Sequence, residues 1–407
     1  MSTCLYLDTA RLGRMCPEAQ AADHDFARLA SEEGCSLYFE HFLRWGYSSL
    51  PPSLSRRYPA LSFWAGVTAF KRDLKTVLAI DRRRQVFVAN RSAQLVRLAA
   101  RALCRRCERI LVTDMEWPAY MAALKAECQQ TGRTLTTVPV WQAIFRDQIT
   151  QDELVSRLSA HYRQEDCDGL FLSAVTYQGV RMPIQEIADS LGPANRPRFT
   201  VVDGAQAFNH VPLRATAESC DLLLTGCHKW LRAYHPLGLA ICCRARSERD
   251  IITICREMFH RGELDDPLLS FTTQLEGENL ERFSETVNLA PMFTAAASVR
   301  AMMRSDRTKY AELSAQIDNA EQVAQRSSAT GWRPIRPANP MTTGILLLEA
   351  TDRQNRVAPI DRLREHFLAG GIALTAYDGG VIRISLPDRL MSPGAHIIVR
   401  KALSHCI

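Results

Sequence analysis

Seven short aliphatic runs, each followed by a longer mixed stretch, constrain this chain more than any other feature. They are Gln85 to Ala89, Arg109 to Thr113, Leu135 to Val140, Gly169 to Val175, Phe199 to Asp203, Asp221 to Thr225 and Leu237 to Cys243. Runs this short and this apolar suit strands buried on both faces, and the intervals suit helices that cover a parallel sheet. Between them, Ser92 to Cys104, Met115 to Gln130 and Pro183 to Leu191 carry apolar residues at helical spacing. The class expected is α/β, with a seven-stranded, mainly parallel sheet.

At 407 residues the chain exceeds what one hydrophobic core usually organises. A second pattern starts after a helical stretch near Ala290 to Ala324. Strands are expected at Gly344 to Leu348, Ile372 to Ala376 and Val381 to Leu386, with helices at Ile360 to Leu368 and from about Pro393. Residues 1–50 read as an N-terminal arm that ends at Pro51 and Pro52. The expected division is this arm, a large domain over 51–290, and a smaller α+β domain over 291–407 that the arm completes.

Composition excludes several classes of function. A chain that is 46% hydrophobic and 23% charged is neither disordered nor fibrous. Fifty Lys and Arg against 44 Asp and Glu leave only +6, too dilute for a nucleic-acid footprint, and Arg82 to Arg84 reads as a solvated face. No apolar run is long enough to cross a membrane, and the N-terminus has no basic flank leading into an apolar stretch. The thirteen cysteines follow no framework spacing, so reduced thiols in a cytoplasmic setting are expected. Cys104 and Cys107 form a C-x-x-C without a second pair, so no metal site is expected there.

The chemistry concentrates in VVDGAQAFNH (Val201 to His210) and DLLLTGCHKWL (Asp221 to Leu231). Asp203 closes one apolar strand and Lys229 lies just past the next, so both come to the carboxyl edge of the sheet, where α/β proteins bind ligands. An amine that can form a Schiff base, paired with a carboxylate that can keep a pyridine nitrogen protonated, suits pyridoxal 5'-phosphate.

With these motifs the chain resembles the class V aminotransferase family of pyridoxal-phosphate enzymes, which includes cysteine desulfurases, kynureninase and isopenicillin N epimerase-like proteins. The likeness runs from LYLDTARLG near Leu5, through the D-x-x-Q and H-K elements, to VIRISL around Arg383; HKWL is most like the epimerase-like branch. The resemblance implies a fold type I homodimer with active sites shared across the subunit interface. It implies that Lys229 carries the cofactor as a Schiff base and moves the substrate's α-proton, while Asp203 pairs with the pyridine nitrogen. Gln206 would bond the phenolic oxygen, and Trp117 would stack on the ring where many relatives carry histidine. Ser92, the amide of Ala93, Thr225 and His228 would form a phosphate cup at a helix N-terminus. Thr286 would reach the partner subunit's phosphate, although Glu285 and Val287 replace the usual glycine and proline beside it. Arg383 would grip a substrate carboxylate.

Those roles imply an enzyme that acts on an α-amino acid through an external aldimine and a quinonoid. An aminotransferase or a side-chain-cleaving lyase of specialised biosynthesis is favoured. The alternatives are an amino-acid epimerase and a catalytically silent binding subunit; the latter would be expected to lose Lys229, Asp203 or the phosphate cup. Cysteine desulfurases carry a nucleophilic cysteine ahead of the substrate arginine. Gly331 to Ser404 contains none, which argues against that activity. In SAVTYQGVRMPI (Ser173 to Ile184) the loop is a residue short of the family pattern and Ala174 replaces a frequent histidine.

Overall fold

The structure is a computed structural model that describes residues 4–34, 40–277 and 286–404. Strand β1 (Leu5–Tyr6) opens the chain, and seven strands then form the large sheet: β2 (Val86–Ala89), β3 (Arg109–Thr113), β4 (Thr134–Val138), β5 (Gly169–Ser173), β6 (Phe199–Asp203), β7 (Leu222–Gly226) and β8 (Gly238–Cys242). Their order is β2-β8-β7-β6-β5-β3-β4, with β8 antiparallel to both neighbours and the other pairs parallel. All seven expected runs are strands, displaced by no more than two residues at either end.

Alternate residues of a strand point to opposite faces, and here both faces are dry except along the edge strand β4. Phe199, Val201, Leu222 and Leu224 pack under helices 92–106 and 245–260, while Val202 and Leu223 join the opposite core with Leu158 and Ile187 of helices 151–164 and 184–191. The helix expected from Met115 starts instead at Pro118, with Trp117 as its extended N-cap. Proline is pre-shaped for the first helical position and pushes the residue before it out of helical geometry.

A second sheet is antiparallel, built from β9 (Trp332–Ile335), β10 (Ile345–Ala350), β12 (Thr375–Tyr377) and β13 (Val381–Ser385) in the order β12-β13-β10-β9. Strand β9 escaped the sequence reading because Pro334 interrupts it; as an edge strand it tolerates a residue with no donor to the ladder. The run expected over Ile372 to Ala376 divides at Leu374. Its first half, β11 (Ile372–Ala373), pairs in parallel with β1, and Thr375 turns to face Arg383 in the four-stranded sheet.

The N-terminal segment therefore serves both sheets. Leu7 belongs to the core of the smaller one, while helix 17–33 packs on helix 290–303 with Phe26 stacked 4.4 Å from Phe293. Between these two anchors, residues 8–13 cross to the edge of the large sheet, where the Gly13 N–H donates to the His228 carbonyl at 2.7 Å. Among the described residues no helix is long and apolar enough to cross a membrane.

Candidate active site

Asp203 is the last residue of β6 and is 6% exposed. Its Oδ1 accepts from the Ala205 N–H at 2.8 Å, a turn bond that fixes the carboxylate at the sheet edge. Burial raises its pKa above the usual carboxylate value, opposed by that N–H and by the positive charge of Lys229. Lys229 follows β7 by three residues, in a turn that the Cys227 N–H closes onto the Leu237 carbonyl. Arg232 and Tyr234 hold left-handed backbone further along the same loop. The amine is enclosed, although the residue as a whole is half-buried. Burial, opposed by the charge of Asp203 and aided by that of Arg383, brings its pKa down to about 8.

These two side chains face one cavity of about 280 Å³, whose wall also includes Trp117, Gln206 and Arg383. Five of the residues expected from the sequence thus meet in one place. Gln206 is fixed at both ends: Trp230 Nε1 donates to its Oε1 at 2.9 Å, and its Nε2 donates to the Ala10 carbonyl at 2.8 Å. Below it, His210 stacks on Trp230 with ring centroids 3.7 Å apart. The Gly344 N–H donates to His210 Nε2, so Nδ1 carries the proton and donates to the Gln206 carbonyl at 2.7 Å. Complete burial pulls the His210 pKa down to about 3 and keeps the ring neutral.

Arg383, on β13, is 4% exposed. Its two terminal nitrogens donate to the Tyr177 carbonyl and to Thr375 Oγ1, each at 3.3 Å, and Asp8 lies 3.8 Å away. Its Nε is buried and has no hydrogen-bond partner among the described residues. An orphaned, charge-bearing donor in a cavity wall marks where an anionic ligand belongs. Trp117 is 42% exposed and meets Tyr177 edge-on at 5.2 Å, at the open side of the cavity.

None of the expected phosphate residues lines the cavity directly. Ser92 and Ala93 open helix 92–106, where N–H groups lack intrahelical acceptors. The N-cap is Arg91, whose N–H, with that of Asn90, donates to Asp266. Ser92 connects to the cavity through Tyr120, whose hydroxyl donates to Ser92 Oγ at 3.1 Å. Thr225 spends its hydroxyl proton on the Gly204 carbonyl. His228 Nδ1 is buried with no partner among the described residues, and burial brings the ring's pKa down to about 4. Thr286 is exposed.

Several residues escaped the sequence reading. Glu116 is buried beneath the cavity, accepting from Thr113 Oγ1 at 2.8 Å and from Ser173 Oγ. Burial, with the nearby Asp203 charge, raises its pKa to about 7 despite those bonds. A carboxylate directly before Trp117 in TDMEWPAY was the available signal. Tyr177 and Tyr377 complete the wall near Arg383, and Ala10 and Arg11 enter it from the N-terminal segment.

The family model described as Aminotransferase class-V matches residues 59–325. No curated protein matches the sequence. Among solved structures, the cystine C-S lyase C-DES in complex with its reaction product cysteine persulfide superposes with a TM-score of 0.71 at 14% identity, covering 100% of this chain and 99% of that one. The cysteine desulfurase CsdA from Escherichia coli gives 0.69 at 14% identity over 98% and 94% of the two chains. Ureidoglycine-glyoxylate aminotransferase from Bacillus subtilis gives 0.64 at 11% identity over 99% and 92%.

Proposed function

The chain belongs to the class-V aminotransferase family, and from that premise we propose that it is a pyridoxal-phosphate enzyme acting on an α-amino acid, as an aminotransferase or a side-chain-cleaving lyase. The observation that carries this reading is the single cavity that joins an enclosed amine, a buried carboxylate and an orphaned guanidinium nitrogen. Those groups fit the cofactor: Lys229 would hold its carbonyl carbon, Asp203 its ring nitrogen, Gln206 its phenolic oxygen and Trp117 its open face. Ser92, Ala93, Thr225 and His228 would hold its phosphate, with Thr286 reaching across to the partner subunit's. Bound there, pyridoxal phosphate supplies an electrophilic carbon and a conjugated electron sink.

The chain's own residues divide the remaining work. Arg383 offers Nε to the substrate carboxylate while Tyr177 and Thr375 keep its plane fixed. Lys229, with an amine that loses its proton near pH 8, takes the proton at the substrate's α-carbon and can return it elsewhere. Asp203 is desolvated, so its charge acts at full strength on a ring nitrogen beside it. Trp117, unlike a histidine, cannot gain and release a proton near neutral pH, which removes one possible proton carrier at this position. The absence of cysteine from Gly331 to Ser404 argues against persulfide chemistry.

The same reading makes the enzyme a homodimer with shared active sites. It assigns 51–290 to cofactor binding and 291–407 to a smaller C-terminal domain completed by the N-terminal arm of residues 1–50. It also sets the enzyme in a cytoplasmic, specialised biosynthetic role that the free cysteines permit. The experiment is a screen of amino acids against the purified holoenzyme, followed by analysis for keto acid, pyruvate and the opposite enantiomer. Keto acid with amino transfer, or a β-elimination product, supports the proposal. Exclusive racemisation, or no change of the cofactor band with any amino acid, overturns it.

A further inference from the structure

Among the described residues, Arg11 is the one cation of the cavity wall that the proposed chemistry leaves unused. It stands in LYLDTARLG, on the segment that crosses from the small sheet to the Lys229 loop. Among the described residues its side chain has no hydrogen bond, ion pair or aromatic ring, and it is exposed. Arg14, three residues on, lies over the Tyr6 ring and donates to the Cys4 carbonyl. An unspent guanidinium at a cavity mouth is a donor set for an anion.

Its neighbours locate it at the substrate end. Arg11, Thr375, Tyr377 and Arg383 line the same cavity, and while burial raises the pKa of both Asp8 and Tyr377, the charges of Arg383 and Arg11 oppose that rise at each of them. Tyr120, at the Ser92 end, answers instead to Asp203 and Ser92. The local acid is already committed: Asp8 accepts from Thr375 and lies 3.8 Å from Arg383, and it forms no ion pair with Arg11. One substrate carboxylate is met by Arg383 through its orphaned Nε. Arg11, on a separate segment and nearer solvent, is placed for a second anionic group further from the reacting carbon.

We propose that Arg11 is a specificity residue and that the substrate is an amino acid whose side chain ends in an acid. This rests on reading the cavity as the pyridoxal-phosphate site. A guanidinium recognises a carboxylate or a phosphonate with the same planar fork, so the shared chemistry is the side-chain anion. An apolar side chain of equal length would leave Arg11 unmatched, and discrimination by one charge-assisted contact is worth about ten- to hundredfold in affinity.

The test uses the purified holoenzyme, with cofactor content read from its visible band. Unreactive acids are titrated in by calorimetry: glutarate, pentanoate as its single-acid counterpart, and 4-phosphonobutyrate. Glutarate or the phosphonate should bind about ten- to hundredfold more tightly than pentanoate, with the tighter of the two naming the source of the anion. Arg11→Gln should collapse that ratio toward one, Arg11→Lys should retain part of it, and Arg383→Gln should weaken all three ligands. Equal binding of glutarate, phosphonate and pentanoate overturns the inference. So does an Arg11→Gln protein that keeps the ratio, loses all three ligands equally, or changes only its oligomeric state. Absence of a cofactor band in the wild-type protein, by contrast, refutes the reading of the site itself.

Discussion

Lys229 can act as a nucleophile only while its amine is neutral, and the fold brings that state within reach. Burial and the neighbouring guanidinium of Arg383 pull its pKa to about 8, where an exposed lysine would stay protonated. The sign follows directly: below pH 8 the reactive fraction falls tenfold per unit, and above it the fraction saturates. The rate at which apoenzyme takes up pyridoxal phosphate should therefore rise with pH up to about 8 and then level off. A rate still climbing through pH 10, followed by absorbance after mixing, would mean an ordinary solvated lysine. At this scale the sequence was informative where a side chain stands within a few positions of a strand end. Asp203, Gln206, Lys229 and Trp117 meet that condition because the strand itself delivers them. Glu116 met it too, beside Trp117 and three positions past β3, whereas Arg11 carried no such signal, because its place depends on segments that only tertiary packing brings together.

Among the elements, the N-terminal segment has the most consequence for its size. Gly13 is required there by space: a Cβ on it would stand 2.0 Å from the Lys229 carbonyl oxygen, a backbone atom with nowhere to go. Its own N–H holds the preceding carbonyl, that of His228, and Ala10 holds Gln206 from the same segment. Gly13→Ala should push the segment off the lysine loop. We expect a loss of about 1–3 kcal/mol from overpacking, seen as a lower denaturation midpoint, together with faster loss of cofactor on dialysis. Unchanged midpoint and unchanged cofactor retention would show that the segment is not clamped. The sequence pattern marked this stretch as an arm, yet its division between two sheets was not legible. A two-residue strand such as β1 is too short to show a period, and its partner β11 lies 367 positions away in register. Strand β9 was hidden for a related reason, since edge strands admit residues that central ones refuse.

Across the whole molecule, the large sheet was legible because parallel strands buried on both faces leave uninterrupted aliphatic runs. The smaller antiparallel sheet left weaker traces. What joins them was invisible in the sequence: His210, neutral and buried under the cavity, ties the Gln206 carbonyl to the Gly344 amide beside β10. Arg383 reaches back from β13 to the Tyr177 carbonyl. The cavity is thus assembled from both sheets and the N-terminal segment, and its chemistry rests on Lys229 and Asp203 facing each other within it. Borohydride reduction of the holoenzyme, followed by peptide mapping, tests that arrangement most directly. The account predicts one pyridoxyl group per chain, fixed to Lys229 and absent from Lys229→Ala protein. A label on another lysine, or a fixable visible band that survives Lys229→Ala unaltered, would contradict it.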